Sequence, residues 1–420
     1  MNELTTIFLF FLALGTGLQI WLAMRQKASI HAHQHTVPST FTESISLEEH
    51  QKSAVYTITK TGFGQKMLII EVLILLLWTL GGLLNILDQA WRSLEWSEIW
   101  TGVAVLVSFG LLSTLIDLPS SIYSTFRIEA QFGFNRTTPR LFITDLLKSL
   151  VLGLIIGIPF ATLVLWLMAH AGAFWWLYVW AVWMGFSLLM MWAYPVFIAP
   201  IFNKFKPIEN DELKQSIEDL LHRNGFASKG IFVMDGSKRS GHGNAYFTGL
   251  GNNKRIVFFD TLLDKLNTDE VIAVLAHEIG HFKHKHIQKH LILLATMTLA
   301  GLALLGWLMQ QQWFYSGLGI STPSTYTALL LFTLVLPVFT FFVQPIIAWF
   351  SRKHEFEADD FAAGQASPLT LIEALVKLYR ENASSLTQDP LYSAFYDTHP
   401  PAPVRVAHLS RKHHKLERNL

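Results

Sequence analysis

The sequence predicts an α-helical polytopic membrane protein: seven spanning helices joined to a cytoplasmic domain that is mainly α with a small β-sheet. Three observations lead there. Of the 420 residues, 51% are hydrophobic and only 15% charged, against roughly 25% charged in an ordinary soluble domain. The apolar residues gather in seven stretches long enough to cross a bilayer, which takes about 20 residues. The basic residues sit almost wholly in alternate connections between those stretches. The same composition excludes a disordered chain and a nucleic-acid partner, because charge is sparse and the net charge is only +1. Without cysteine there is no disulfide framework, thiolate metal site or cysteine nucleophile. Any metal must be held by His, Asp or Glu.

The spans are read as Leu4–Met24, Met67–Leu87, Ile99–Ser121, Ser149–Ala169, Phe174–Ile198, Leu291–Met309 and Thr327–Phe350. The first is taken as a retained span. Met1–Thr6 carries no Lys or Arg, and no small-x-small cleavage site follows. Of the 32 basic residues, 31 fall on one side of the membrane and Arg92 alone on the other. The expected orientation is N-terminus outside, C-terminus in the cytoplasm. Four parts follow: a five-span membrane domain (1–198), a cytoplasmic part (199–290), a transmembrane hairpin (291–350) and a C-terminal cytoplasmic part (351–420). The hairpin interrupts the two soluble parts, so one domain is expected to be assembled from both. In the first part, Asp211–Arg223 has helical spacing. Gly230–Met234, Asn244–Gly249 and Lys254–Asp260 read as strands, the last two joined by a Gly251-Asn252-Asn253 turn. Thr268 is expected to cap a helix whose first turn holds Asp269 and Glu270.

That helix runs into Leu275-Ala276-His277-Glu278-Ile279-Gly280-His281. His277 and His281 lie one turn apart on one face, so both imidazoles can grip one zinc ion. Glu278 is placed to act as general base on a water held there. A catalytic zinc also needs a third protein ligand. His284, His286 and His290 are nearby, but His284 and Ile287 stand where a metzincin would need Gly and His. The better source is Ser351-Arg352-Lys353-His354-Glu355-Phe356-Glu357-Ala358-Asp359, which directly follows the seventh span and returns to the same side. Glu355 and Asp359 share a helix face. Glu355 can ligate, and Asp359 can accept the spare N–H of a ligand histidine. Glu357 points off that face and is the weaker candidate for the third ligand.

At this point the chain resembles the type I CAAX prenyl proteases, integral-membrane zinc metalloproteases of the gluzincin type. Phe132-Gly133-Phe134-Asn135-Arg136-Thr137-Thr138 looks like that family's FGFN-basic-T loop. Pro200-Ile201-Phe202-Asn203-Lys204-Phe205 looks like its entry to the soluble domain. Asn244-Ala245-Tyr246-Phe247 and Arg255-Ile256-Val257-Phe258-Phe259-Asp260-Thr261-Leu262 resemble its two strands. Ser351-Arg352-x-x-Glu355-Phe356-x-Ala358-Asp359 and His399-Pro400 with Arg405 complete the set. The resemblance implies seven spans around a water-filled chamber, capped by the cytoplasmic domain. It implies one zinc per chain on His277, His281 and Glu355, with Glu278 as base. It places His399 near the tetrahedral oxyanion with Arg405 supporting it, and lays the substrate along an edge at Asn244, Ala245 and Tyr246. The implied activity is hydrolysis of peptide bonds in CAAX-type prenylated or membrane-associated substrates through a zinc-activated water.

Other polar residues receive plainer readings. His31, His33 and His35 are taken as a solvated loop, Glu71 and Asp117 are given no role, and Pro337 and Pro345 are expected to kink the seventh span. A monomer is expected. The absence of a KDEL or near-terminal dilysine signal favours a bacterial cytoplasmic membrane over endoplasmic reticulum. The rival readings are a quality-control protease of the shorter HtpX type and a polytopic transporter with an accidental HExxH.

Overall fold

The computed structural model describes residues 2–226, 230–248 and 255–418. Among them are seven helical segments long and apolar enough to cross a membrane: Glu3–His33, Leu47–Trp78, Glu98–Glu129, Pro139–His170, Gly172–Phe202, His286–Leu308 and Thr325–Gln365. Most exceed the apolar stretches seen in the sequence. A helix of 32 residues is about 48 Å long, against a hydrocarbon layer of about 30 Å. The surplus turns carry the helices out of the bilayer and into the soluble domain.

The second span departs from expectation. The sequence suggests Met67–Leu87, but the helix ends at Trp78. Gly82 then adopts a left-handed conformation (φ 77°), and a separate helix, Leu83–Arg92, begins. Only glycine takes that backbone conformation without a Cβ penalty. The new helix buries Leu84 and Asp88. Asp88 is fully buried. It accepts from Arg92 Nε at 2.9 Å and from the Tyr326 hydroxyl at 2.7 Å. The seventh span also differs. It passes Pro337 as helix, breaks into a 3₁₀ turn at Phe341–Val343, and resumes as Gln344–Gln365 with Pro345 in its first turn. Pro345 has no N–H to continue the ladder, which places the break just before it.

The spans are packed unevenly. The main apolar cluster takes Phe8 and Leu12 from the first span, Trp78 from the second, Leu165 and Met168 from the fourth, and Leu305 from the sixth. Tyr326 and Leu331, early in the seventh, join it. All these positions lie at the end remote from the HExxH motif. Nearer the motif the spans part. One recess of about 640 Å³ is lined from the first, second, sixth and seventh spans, among others by Gln19, Glu71, Met297 and Gln344. The first, second, sixth and seventh spans thus line a recess, while the opposite end of the bundle is closed by side-chain packing.

The soluble domain has one core from two pieces. Ile208, Leu213, Ile217, Leu220, Ile256, Phe258 and Ile279 pack with Ala362, Leu371, Ala374 and Leu409. Its sheet contains β1 (Phe205–Pro207), β2 (Ile231–Met234), β3 (Ala245–Thr248) and β4 (Arg255–Phe259), in the order β1-β2-β4-β3. β2 and β4 are parallel; the other pairs are antiparallel. The expected helix Asp211–Arg223 is present. The expected Gly251-Asn252-Asn253 turn lies outside the described residues. The cap of the motif helix, Thr268–Lys283, is Asn267, not Thr268. Asn267 accepts from the Glu270 amide, and Glu270 returns the bond to the Asn267 amide, both at 2.9 Å. An amide side chain at that position completes the capping box, so Thr268 becomes the first helical residue.

Arg239 fastens this domain to the membrane helices. It makes a paired contact with Asp145 of the fourth span at 2.8 and 3.1 Å. It also donates to Asn203 Oδ1 at 2.5 Å and the Phe202 carbonyl at 2.8 Å. Its own carbonyl accepts from the Arg136 amide at 3.0 Å. The two sequence motifs around Phe134 and Asn203 therefore meet on one arginine. Asp145 and Arg239 are about a quarter exposed, so the loss on truncation should fall below the 3–5 kcal/mol of a fully buried pair, at roughly 1–3 kcal/mol. Arg239→Ala is expected to lower the thermal midpoint and speed proteolytic cutting near residue 203. An unchanged midpoint and cutting pattern would show that the clasp is dispensable.

Candidate metal centre

The motif helix and the helix Gln344–Gln365 cross at Gly280 and Ala358. A Cβ on Gly280 would lie 2.9 Å from the Ala358 Cα and 3.0 Å from its carbonyl oxygen. Only a glycine lets the two backbones approach so closely. The crossing brings the ligand-bearing faces together. His277 Nε2 and His281 Nε2 are 3.2 Å apart. Glu355 Oε2 is 3.4 Å from His277 Nε2, and Glu355 Oε1 is 3.4 Å from His281 Nε2. Among the described residues, this is the one grouping of three or more His, Asp or Glu side chains whose donor atoms converge. His31, His33 and His35 make no such group.

The donor set fits a metal ion. Glu355 is 4% exposed, and its buried Oε2 has no hydrogen-bond partner. A buried, unsatisfied acceptor facing two imidazole nitrogens is costly unless a cation completes it. Two His and one Glu are the ligand set of one class of catalytic zinc site.

Asp359 accepts from His277 Nδ1 at 2.9 Å, so Nε2 of that ring is free to ligate. Arg405 grips the same carboxylate with Nε and Nη2, both at 2.7 Å. Burial pulls the Arg405 pKa down, but the charge and hydrogen bonds of Asp359 outweigh it, and the net shift is upward. Arg405 Nη2 also lies 3.0 Å from His277 Nδ1, so the guanidinium contacts both the Asp359 carboxylate and the histidine it holds. Arg405 Nη1 is 3.8 Å from Glu355.

Glu278 is half-buried and faces two recesses. One, about 280 Å³, is lined by Asn244, Ala245, His277, Glu278, His399 and Arg405 among others. The other, about 620 Å³, is lined by Tyr246, Glu278, His281 and apolar residues including Met191, Phe282, Leu294 and Met297. β3 is the last strand of the sheet and runs between them. The Phe259 amide donates to the Asn244 carbonyl at 2.9 Å. Antiparallel alternation then turns the main-chain groups of Ala245 and Phe247 toward the open edge. His399 Nε2 is 3.5 Å from Glu355 Oε1. Its ring is open to the recess yet enclosed by the surrounding chain. That enclosure holds its pKa below the ordinary histidine value, against the pull of Glu355. The turn before it is held by Arg352, which donates to the Asp397 carbonyl at 2.7 Å and the Ser393 carbonyl at 3.1 Å. In the sequence Arg352 stands out only as part of the Ser351–Asp359 motif. Its signal was only its place three residues before Glu355.

A barrel of membrane helices with a buried His-His-Glu cluster beside a free strand edge defines a membrane-embedded metallopeptidase. Residues 26–204 match the family described as "CAAX prenyl protease N-terminal, five membrane helices", and residues 207–413 match peptidase family M48. The chain is 35% identical to a CAAX prenyl protease 1 homolog of Arabidopsis thaliana, over 92% of this chain and 93% of that one. It is 41% identical to CAAX prenyl protease 1 of Saccharomyces cerevisiae, over 71% and 69% of the two chains. The crystal structure of S. mikatae Ste24p superposes with a TM-score of 0.90 at 34% identity, covering 97% of this chain and 99% of that one. The chain belongs to the CAAX prenyl protease 1 family, within peptidase family M48. It is a multi-pass membrane metallopeptidase. Matches along the whole chain set aside both the shorter HtpX-type protease and a transporter.

Replacing Gly280 by Ala is expected to push the motif helix off Ala358, lowering bound metal and thermal stability together. Adding Ala358→Gly should restore little, since the clash is with the Ala358 backbone. Full metal content in Gly280→Ala would refute this account of the crossing.

Proposed function

We propose that the protein is a zinc endopeptidase with His277, His281 and Glu355 as ligands and Glu278 as general base. The convergence of two Nε2 atoms on a buried carboxylate whose Oε2 makes no hydrogen bond carries this reading. A zinc ion, when bound there, supplies a Lewis acid that polarises the scissile carbonyl and acidifies water. Glu278 takes the proton of the attacking water and passes it to the leaving amine. His399 faces the side where the oxyanion forms and donates a hydrogen bond to it. Asp359 holds His277 in the ligating tautomer, and Arg405 acts through Asp359. No covalent intermediate is involved.

The substrate lies as an added strand along Asn244, Ala245 and Tyr246, where backbone pairing holds an extended peptide without demanding a sequence. The apolar recess of about 620 Å³ next to Glu278 supports a substrate with a hydrophobic appendage, either an isoprenyl group or a membrane-embedded segment. CAAX-type prenylated peptides are therefore the first substrate class to test. The basic-residue asymmetry supports a cytoplasmic active site and an N-terminus on the other side. The relatives named above are all eukaryotic, so the expected bacterial cytoplasmic membrane gains nothing from them.

Glu278→Gln should retain its metal and lose about 10²–10⁴-fold in rate. Chelation should abolish activity and added zinc restore it. The decisive measurement is mass spectrometry of products from a prenylated and an unprenylated CAAX peptide. Cutting of the prenylated peptide well above its partner supports the reading. Equal cutting of both removes prenyl recognition from it.

A further inference from the structure

We propose that His286 and Glu357 form a second outer support of the metal centre, a relay that fixes His281 as an Nε2 ligand. This rests on the zinc-site reading above and deepens it.

His281 Nδ1 is 2.9 Å from His286 Nδ1, and His286 Nε2 is 2.9 Å from Glu357 Oε2. With neutral rings and an ionised carboxylate, one proton arrangement satisfies both contacts. Glu357 only accepts, so His286 carries its proton on Nε2 and accepts at Nδ1. His281 must then donate from Nδ1–H. Its Nε2 lone pair is left facing Glu355, 3.4 Å away. The opposite tautomer would place a proton on the ligating nitrogen. The relay therefore does for His281 what Asp359 does for His277, with an imidazole inserted because no carboxylate reaches His281 Nδ1 directly.

The surroundings are built to hold that imidazole. His286 is 3% exposed. Its ring stacks on His354 with centroids 4.0 Å apart and planes 15° apart. On His284 it stacks at 5.6 Å and 16°. Lys285 is in the left-handed region (φ 56°). That turn ends the motif helix and folds His286 back against His281. A non-glycine residue in this conformation is strained, and here the strain delivers one side chain to one atom. Lys289 Nζ, 3.6 Å from Glu357, helps keep the carboxylate ionised. The histidines that look like surplus ligand candidates in the sequence thus take a different part: they orient a ligand.

The test uses the full-length protein in detergent, as wild type, His286→Leu, His286→Gln and Glu357→Leu. Zinc affinity is read by chelator competition, and the ligand field by the visible spectrum of the cobalt-loaded protein. Loss of an outer partner of a metal-bound histidine weakens binding by about 10–100-fold. Both Leu variants are expected in that range, with altered cobalt bands. His286→Gln should stay near wild type, because its amide can accept from His281 and donate to Glu357. Activity lost in the Leu variants should return at excess zinc with KM unchanged, which a misfolded site would not do. Glu357 is partly exposed, so Glu357→Leu tests the relay even if His286→Leu fails to fold. Wild-type protein binding one zinc, with Glu357→Leu binding within twofold of it and unchanged cobalt bands, would overturn the relay alone. Wild-type protein that binds no metal would overturn the zinc reading, and this proposal with it.

Discussion

The site depends on one close approach, that of Gly280 to the Ala358 backbone. His277 and His281 stand on one helix and Glu355 on another. Between them in sequence lies a complete transmembrane hairpin. Bringing such distant residues together costs chain entropy. Here the hairpin meets that cost before any metal arrives, because both helices are continuous with or directly joined to membrane spans. The remaining requirement is a short interhelical distance, and a side chain at Gly280 would deny it. A larger separation would leave Glu355 out of reach of both imidazoles.

Around that crossing the polar groups are arranged in order of burial. Asp359 is fully buried and has two partners, His277 and the paired grip of Arg405. An unpaired carboxylate there would be untenable. Glu355 is almost as buried, but its Oε2 has no hydrogen-bond partner. Glu278 faces both recesses. Stability and reactivity are thus divided between neighbouring acids one helical turn apart.

Much of this was legible in the residues. The spans announce themselves by apolar runs, and HExxH by i,i+4 spacing. The place of Glu355 beside HExxH could be reasoned from its position just after the seventh span. What escaped was set by tertiary contact. Trp78 ends the second span because of the following glycines and because Asp88 finds Arg92 and Tyr326; an apolar count sees only a continuing run. The motif helix starts at Asn267 because its amide fits the capping box better than the neighbouring threonine. Arg239 carries no motif of its own, so its grip on Asp145 and Asn203 was invisible. His286 was visible only as a potential ligand. Its contribution depends on the left-handed turn at Lys285, which spacing alone does not reveal.

The way the sixth and seventh spans end has a mechanical consequence. The motif helix meets the sixth span at a single bent residue, and the helix bearing Glu355 is the tail of the seventh. His277, His281 and Glu355 are therefore mounted where two membrane spans run on into the soluble domain. Any displacement of one span against the other reaches His277, His281 and Glu355 through the bend at Lys285 and the 3₁₀ break at Phe341–Val343. A fragment that kept these three residues but lost the hairpin would lose the covalent connection that brings them together.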